Sequence, residues 1–164
     1  MKIHLCCGPQ QYPGWLNVDA IDFGFNVVAD LHKTWDFAPA DSAEYIVCKD
    51  GFEHVESPSH YLTEAARIIA PGGLLELWVP HYRNPSAYRL THRTYYSWSS
   101  FDAFPEPHDA VQNLKVVHNR IYIGRKDSAL FAPLHFLANV SPKWWERLFY
   151  VSNVEVKLQK NLRS

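Results

Sequence analysis

The stretch CCGPQQYPGWLNVDA (Cys6–Ala20) decides how the N-terminal half folds. An apolar run, Ile3–Cys7, reaches Gly8; only ten residues separate that glycine from Asp19, which closes a second apolar run. Nucleotide-binding folds place a helix between two such landmarks. Here only six residues separate Gly8 from Trp15, and two of them are Pro9 and Pro13. Pro13 blocks a helix interior, and six residues are too few for a helix packed on a sheet. Pyrophosphate sites use the N–H groups and positive end of that helix. NAD, FAD and ATP would therefore lose the main means of holding phosphate, and neither GxGxxG nor GxxxxGK[ST] occurs. A nucleoside without phosphate still fits, provided that an acid meets its ribose. Asp19, at a strand end, is placed to accept from two vicinal hydroxyls, although a turn aspartate binding backbone N–H groups reads the same way.

Working outward, five short apolar runs have the length and composition of buried parallel strands: IHLCC (3–7), WLNVD (15–19), NVVAD (26–30), EYIVC (44–48) and LLELWVP (74–80). Gly8, Asp19 and Asp30 lie at or just past the ends of three of them, where open parallel sheets bind ligands. Ser57 and Pro58 announce a helix whose apolar stripe is Tyr61, Leu62, Ala65, Ile68 and Ile69, stopped by APGG (70–73). Residues 83–112 are aromatic and polar without a period and read as a cover over the sheet edge, with a short helix near Trp98–Phe104. LKVVHNRIYI (114–123) and VEVKLQK (154–160) alternate as strands, and SPKWWERLFY (141–150) reads as a capped helix. Trp144 and Trp145 are expected in helix packing, with one face toward a partner or substrate. The expected fold is α/β, a Rossmann-like and mostly parallel sheet with an antiparallel last strand, in a single domain spanning 1–164.

Composition narrows the function. The 164 residues carry a net charge of −1, with 16 Lys and Arg scattered among 17 acids, so no nucleic-acid partner is expected. Three cysteines, two adjacent, make no disulfide framework. No run reaches membrane-spanning length and none reads as a signal peptide, so a soluble, cytoplasmic protein with no membrane partner is expected. The 15% aromatic content supplies buried area and walls for a flat ligand.

Several of these stretches together resemble class I S-adenosylmethionine-dependent methyltransferases in the compact form that lacks the first helix. HLCCG matches the family's opening strand and turn, the acid of NVD is Asp19, and the acid of VVADL is Asp30. RIIAPGG (67–73) matches the turn before the fifth strand, and FEHV (52–55) the start of the helix after the fourth. PHYRNPSAYRLTHRTYYSWSSF (80–101) is similar to a longer pattern of some bacterial members. The resemblance implies S-adenosylmethionine as cofactor, with Asp19 on the ribose, Asp30 and the following Leu31 at the adenine, and Gly8 in the turn. Cys48 and Lys49 would line the cofactor through backbone and stem. His4 stands where the family often has an acid for the ligand's amino group, and Cys6 replaces a glycine; both join the expected cofactor set as departures. Arg89-Leu90 departs from the longer pattern too, so no role follows for those two.

The implied reaction is methyl transfer to a small-molecule acceptor. His81, leaving the fifth strand, and His92, in the cover, are the candidate general bases. CKDGFEH (48–54) lacks the Asn/Asp-Pro-Pro-aromatic motif of DNA amino-methyltransferases. Asp50, Glu53 and His54 there read equally as polar groups at a helix start. The nine histidines show no CxxC or HExxH pairing, so no metal site is expected; a spatial cluster of Asp50, His54, His81 and His92 would be the exception. Two rivals remain at this point: a metal-dependent hydrolase or oxygenase on that cluster, and a non-catalytic adenosyl-ligand module.

Overall fold

A computed structural model describes residues 1–162, so the last two residues of the expected 1–164 domain lie outside it. Seven strands form one sheet in the order β3-β2-β1-β4-β5-β7-β6. The first five are β1 (Lys2–Leu5), β2 (Leu16–Asp19), β3 (Val27–Val28), β4 (Ala43–Lys49) and β5 (Ile69–Pro80), all mutually parallel. The last strand, β7 (Asn153–Lys160), runs antiparallel between β5 and β6 (Leu114–Tyr122). Strand order reverses at β1, whose neighbours are β2 and β4. The carboxyl ends of these three strands therefore border the crevice in which such sheets bind ligands.

The central strands are apolar because both faces are covered. Ile3, Leu5, Ile46, Leu75, Leu77, Val154 and Val156 are all fully buried. Helix α1 (Pro58–Ile68) begins as its sequence dictates, with Pro58 in the first turn and Ser57 Oγ accepting from the His60 N–H at 3.2 Å. Its apolar stripe buries Tyr61, Leu62, Ala65 and Ile68. Its outer edge clamps the β3–β4 connection: Glu64 accepts from the Trp35 N–H at 2.8 Å, and Arg67 donates to the Trp35 carbonyl at 2.8 Å.

Three local expectations are corrected. The helix ends at Ile68, and the APGG stretch stays in the sheet as the start of β5. The pairing of β4 with β5 shifts register between Ala43 and Tyr45, and Gly72 takes φ 80° there. The first strand stops at Leu5, because Cys6 adopts φ 51°, the left-handed region. In the cover, the expected helix is a single 3₁₀ turn, Trp98–Ser100.

A helix that the sequence does not announce, α2 (Ala132–Val140), packs on β6 and on α3 (Pro142–Leu148). Trp145 is half-buried in this packing, while Trp144 is 65% exposed. Phe136, Val140 and Leu148 are exposed as well. Among the described residues, no helix is long and apolar enough to cross a membrane.

Candidate functional site

The turn after β1 contains no helix, and Asp19 holds it shut. One oxygen of its carboxylate accepts from the Gly8 N–H at 2.9 Å, and the other from the Ile21 N–H at 3.0 Å. Each carboxylate oxygen has a second lone pair, and Asp19 still lines a cavity of about 520 Å³. Gly8, Phe23, Asp30, Leu31, Asp50 and His54 line the same space. Asp30 accepts from the His32 N–H at 3.0 Å, and that bond holds its carboxyl below the ordinary aspartate value.

Two loops meet in the floor of this cavity. Cys6, after β1, and Asp50, after β4, both take φ 51°, a conformation that costs a non-glycine residue about 1–2 kcal/mol. Gly51 makes their meeting sterically feasible. A Cβ there would lie 2.5 Å from both Cβ and Sγ of Cys6 and 2.9 Å from Sγ of Cys48. The hydrogen bond with Cys48, reinforced by burial, holds the Cys6 thiol protonated far above the usual cysteine range. It is therefore no thiolate nucleophile.

On the other side of Cys6 lies a second cavity of about 530 Å³, lined by His4, Gln10, Lys49, Asp50, Glu76 and Trp78 among others. His4 is buried and stacked on Tyr12 with ring centroids 4.0 Å apart, and its Nδ1 lacks a hydrogen-bond partner among the described residues. Burial lowers its pKa and keeps the imidazole neutral. Lys49 donates to the Tyr12 hydroxyl at 3.1 Å.

A third cavity, of about 320 Å³, opens beneath the cover segment. Asp50, Glu53, His54, Arg89 and His92 line it, with Trp78 as its aromatic wall. Backbone bonds bring the cover here: the Glu53 carbonyl accepts from the N–H groups of Arg93 at 2.8 Å and Thr94 at 3.2 Å. His54 Nδ1 lies 3.1 Å from the Thr91 carbonyl, and His92 Nδ1 lies 3.1 Å from the Ala87 carbonyl. A carbonyl only accepts, so both Nδ1 atoms carry hydrogen, and whenever either ring is uncharged its lone pair is on Nε2. Burial, then the neighbouring His54, lowers the His92 pKa and favours the neutral ring. Burial pushes the Glu53 carboxyl up to about 7, and burial also raises Asp50.

These features can be set beside known proteins. A family model described as a methyltransferase domain matches residues 5–119, well over half of the chain. The chain belongs to the methyltransferase-domain family. No curated protein matches it. Among solved structures, a S-adenosylmethionine-dependent methyltransferase from Archaeoglobus fulgidus aligns with TM-score 0.65 at 12% identity, covering 97% of this chain and 85% of that one. A chain in the complex built on the Haloferax volcanii Trm112 methyltransferase activator gives 0.64 at 19% identity, with 99% and 82% covered. The plantazolicin methyltransferase BpumL, solved with S-adenosylhomocysteine, gives 0.56 at 11% identity, with 98% and 75% covered. These likenesses show the fold; with the family match, they make the chain an enzyme whose cofactor is S-adenosylmethionine.

Within this methyltransferase, the expected cofactor residues separate. Gly8, Asp19, Asp30 and Leu31 share the first cavity, His4 and Lys49 the second, and Cys6 lines both. Cys48 faces none of the three; its side chain is fully buried in the core. The two expected bases also part. His92 lines the third cavity, whereas His81 is fully buried outside it. His81 Nδ1 accepts from the Arg83 N–H at 3.1 Å, so its Nε2–H faces Glu146 at 3.3 Å and no lone pair is free. This pairing fastens the cover to α3, because Glu146 also accepts from the Trp98 N–H at 2.7 Å and the Ser99 hydroxyl at 2.5 Å. The cluster of Asp50, His54, His81 and His92 is accordingly not assembled as such: His81 drops out, and Glu53 joins His54 and His92. From the sequence, Glu53 reads only as a helix-start polar group. Its one signal is an acid directly after the apolar Phe52, which is itself buried.

Proposed function

We propose that this methyltransferase methylates a small polar acceptor bound beneath the cover segment. One observation carries the reading: the 520 Å³ cavity at the strand ends and the 320 Å³ cavity under the cover share two lining residues, Asp50 and His54. A donor in one and an acceptor in the other would meet there, and such positioning supplies much of the acceleration in methyl transfer. The acceptor cavity lies at the small end of ligand sites, and its walls are mostly polar.

The residues present fit the cofactor. Asp19 and Asp30 place carboxylates where ribose hydroxyls and the adenine edge would need acceptors, and the turn offers no helix end to a pyrophosphate. The second cavity suits the amino-acid end, because His4, whose buried Nδ1 has no partner among the described residues, and Lys49 both line it. When bound, S-adenosylmethionine supplies an electrophilic sulfonium methyl group. The chain's own task is then to strip a proton from the acceptor's hydroxyl or amine. The Nε2 lone pairs of His54 and His92 and the carboxylate of Asp50 face the acceptor cavity for this purpose.

The test is His92→Gln. Affinity for S-adenosylhomocysteine should stay within about twofold, because the cofactor cavity is untouched. Turnover, read as S-adenosylhomocysteine release over a panel of small hydroxyl and amine compounds, should fall by about 10²–10⁴-fold. Equal loss of both would make His92 a wall of the cofactor site and defeat the proposal.

A further inference from the structure

We propose that Glu53, His54 and His92 form a binding site for one divalent transition-metal ion in the wall of the acceptor cavity. One donor atom from each of the three lies within 4.8 Å of the other two. The nearest approach across the group on the His92 side is 4.0 Å, from Nε2 to Oε1 of Glu53. Two imidazoles and one carboxylate are a donor set that zinc, iron and their neighbours take, with positions left open for a substrate.

Three independent features point to a ligand here. First, Glu53 lines the cavity although it is only 1% exposed, and its buried Oε2 has no hydrogen-bond partner among the described residues. A buried carboxylate oxygen left unpaired is costly, and a coordinated cation would satisfy it. Second, both histidines donate Nδ1–H to backbone carbonyls, of Thr91 and Ala87. That is the outer-shell arrangement that orients metal-ligating histidines, and it turns both Nε2 lone pairs outward for coordination. Third, the backbone itself fixes the juxtaposition: the Glu53 carbonyl holds the N–H groups of Arg93 and Thr94, so His92 cannot drift from a residue 39 positions away in sequence.

Ligand atoms about 2.1 Å from a metal sit about 3–3.5 Å from one another. Binding therefore draws the three side chains together by about 1 Å. His54 ends a 3₁₀ turn, Phe52–His54, and is only partly buried, so it is the member free to move.

The ion's binding is independent of the acceptor's identity; its role rests on the methyl-transfer reading. A dication at this wall lowers the pKa of a hydroxyl presented to it. Ligation would occupy both Nε2 lone pairs, so in the metal-loaded protein the base is not a histidine and the proton would pass to Asp50, which lines the same cavity and is shared with the donor cavity. The acceptor's oxygen lone pair then forms the new O–C bond, and the breaking C–S bond returns its electron pair to sulfur. The site thus selects acceptors with a hydroxyl oxygen.

The experiment is calorimetric titration of chelator-stripped protein with Zn²⁺, Mn²⁺ and Co²⁺, with Co²⁺ also followed by its visible absorption. One equivalent of at least one ion should bind saturably. His54→Ala, His92→Ala and Glu53→Gln should each weaken it by about tenfold or more, the least that loss of a supporting group costs at such sites. His118→Ala, on β6 and outside the three cavities, should leave it unchanged. If Glu53→Gln fails to fold, the two histidine variants decide. No saturable binding by any of the three ions overturns the inference, as does binding that survives in both His54→Ala and His92→Ala. A parallel titration of the stripped protein with S-adenosylhomocysteine keeps the outcomes separate, since its failure would strike the methyl-transfer reading and leave the metal result standing.

Discussion

Replacing Asp19 with alanine should cost stability and cofactor affinity together, because the carboxylate bonds the turn and, in the proposed reading, offers its remaining lone pairs to the ribose. Inside the protein it accepts from the N–H groups of Gly8 at 2.9 Å and Ile21 at 3.0 Å. Hydrogen bonds to a charged group contribute about 1.5–3 kcal/mol each, and the exposed Ile21 bond belongs at or below the lower limit, so the loss should be about 2–3 kcal/mol. For a chain of this length, each kcal/mol moves the melting temperature by about 2–4 °C, giving a fall of about 5–10 °C. The lone pairs facing the cavity would serve the ribose, and their removal should weaken S-adenosylhomocysteine by roughly tenfold to more than a hundredfold. Thermal melts and calorimetry on the same preparations read the two effects separately. Asp22→Ala is the control: its carboxylate accepts from Gly24 N–H at 2.7 Å in an exposed loop, so neither number should change much. A lower melting temperature with affinity within twofold of the parent would refute the ribose role and leave Asp19 as a turn residue. Equal effects from Asp19→Ala and Asp22→Ala would refute it as well.

Gly51→Ala should destabilise by about 1–3 kcal/mol through overpacking, because the new Cβ would stand 2.5 Å from Cys6. Adding Cys6→Gly should recover part of the loss in a denaturant series; a Gly51→Ala variant as stable as the parent would show that the two loops are not in contact. Stability at acid pH should depend on Glu146. Burial pushes its carboxyl up, but the bonds from His81, Ser99 and Trp98 outweigh this and hold its pKa below the ordinary glutamate value. Its contribution is therefore complete above about pH 4.3 and is lost as pH falls through the folded value. Between pH 5 and pH 3, to order of magnitude for a shifted glutamate, the parent's melting temperature should fall more steeply than that of Glu146→Gln. Parallel curves would contradict the assignment.

The parts of the fold legible in the sequence are those fixed by local chemistry. Ser57 and Pro58 mark the start of α1 because capping acts within one turn, and Ile3, Ile46 and Leu75 mark central strands because both their faces are covered. The two prolines after Gly8 exclude a helix there by geometry alone. What stays hidden depends on distant partners or on broken pattern. Helix α2 carries Leu134, Phe136, Leu137 and Val140 exposed while burying His135 and Ala138, so its larger apolar residues do not mark the face that packs. PGG normally turns a chain outward, but the register shift opposite Ala43 absorbs the extra residues within the sheet. His81 leaves β5 as its position implies, yet Glu146, 65 residues later, claims its ring. Glu53 becomes a buried, cavity-facing acid only because the backbone of Arg93 and Thr94 closes over its own.

The measurement that most directly tests the account is calorimetric titration of the unmodified protein with S-adenosylhomocysteine, ATP and NAD in separate runs. The turn between Gly8 and Trp15 has no helix to receive a phosphate, while Asp19 and Asp30 line one cavity at the strand ends, where the proposed reading puts the nucleoside. S-adenosylhomocysteine should bind saturably at one site per chain, and neither ATP nor NAD should compete. Binding of ATP or NAD with comparable affinity, or no binding of S-adenosylhomocysteine, would contradict the account.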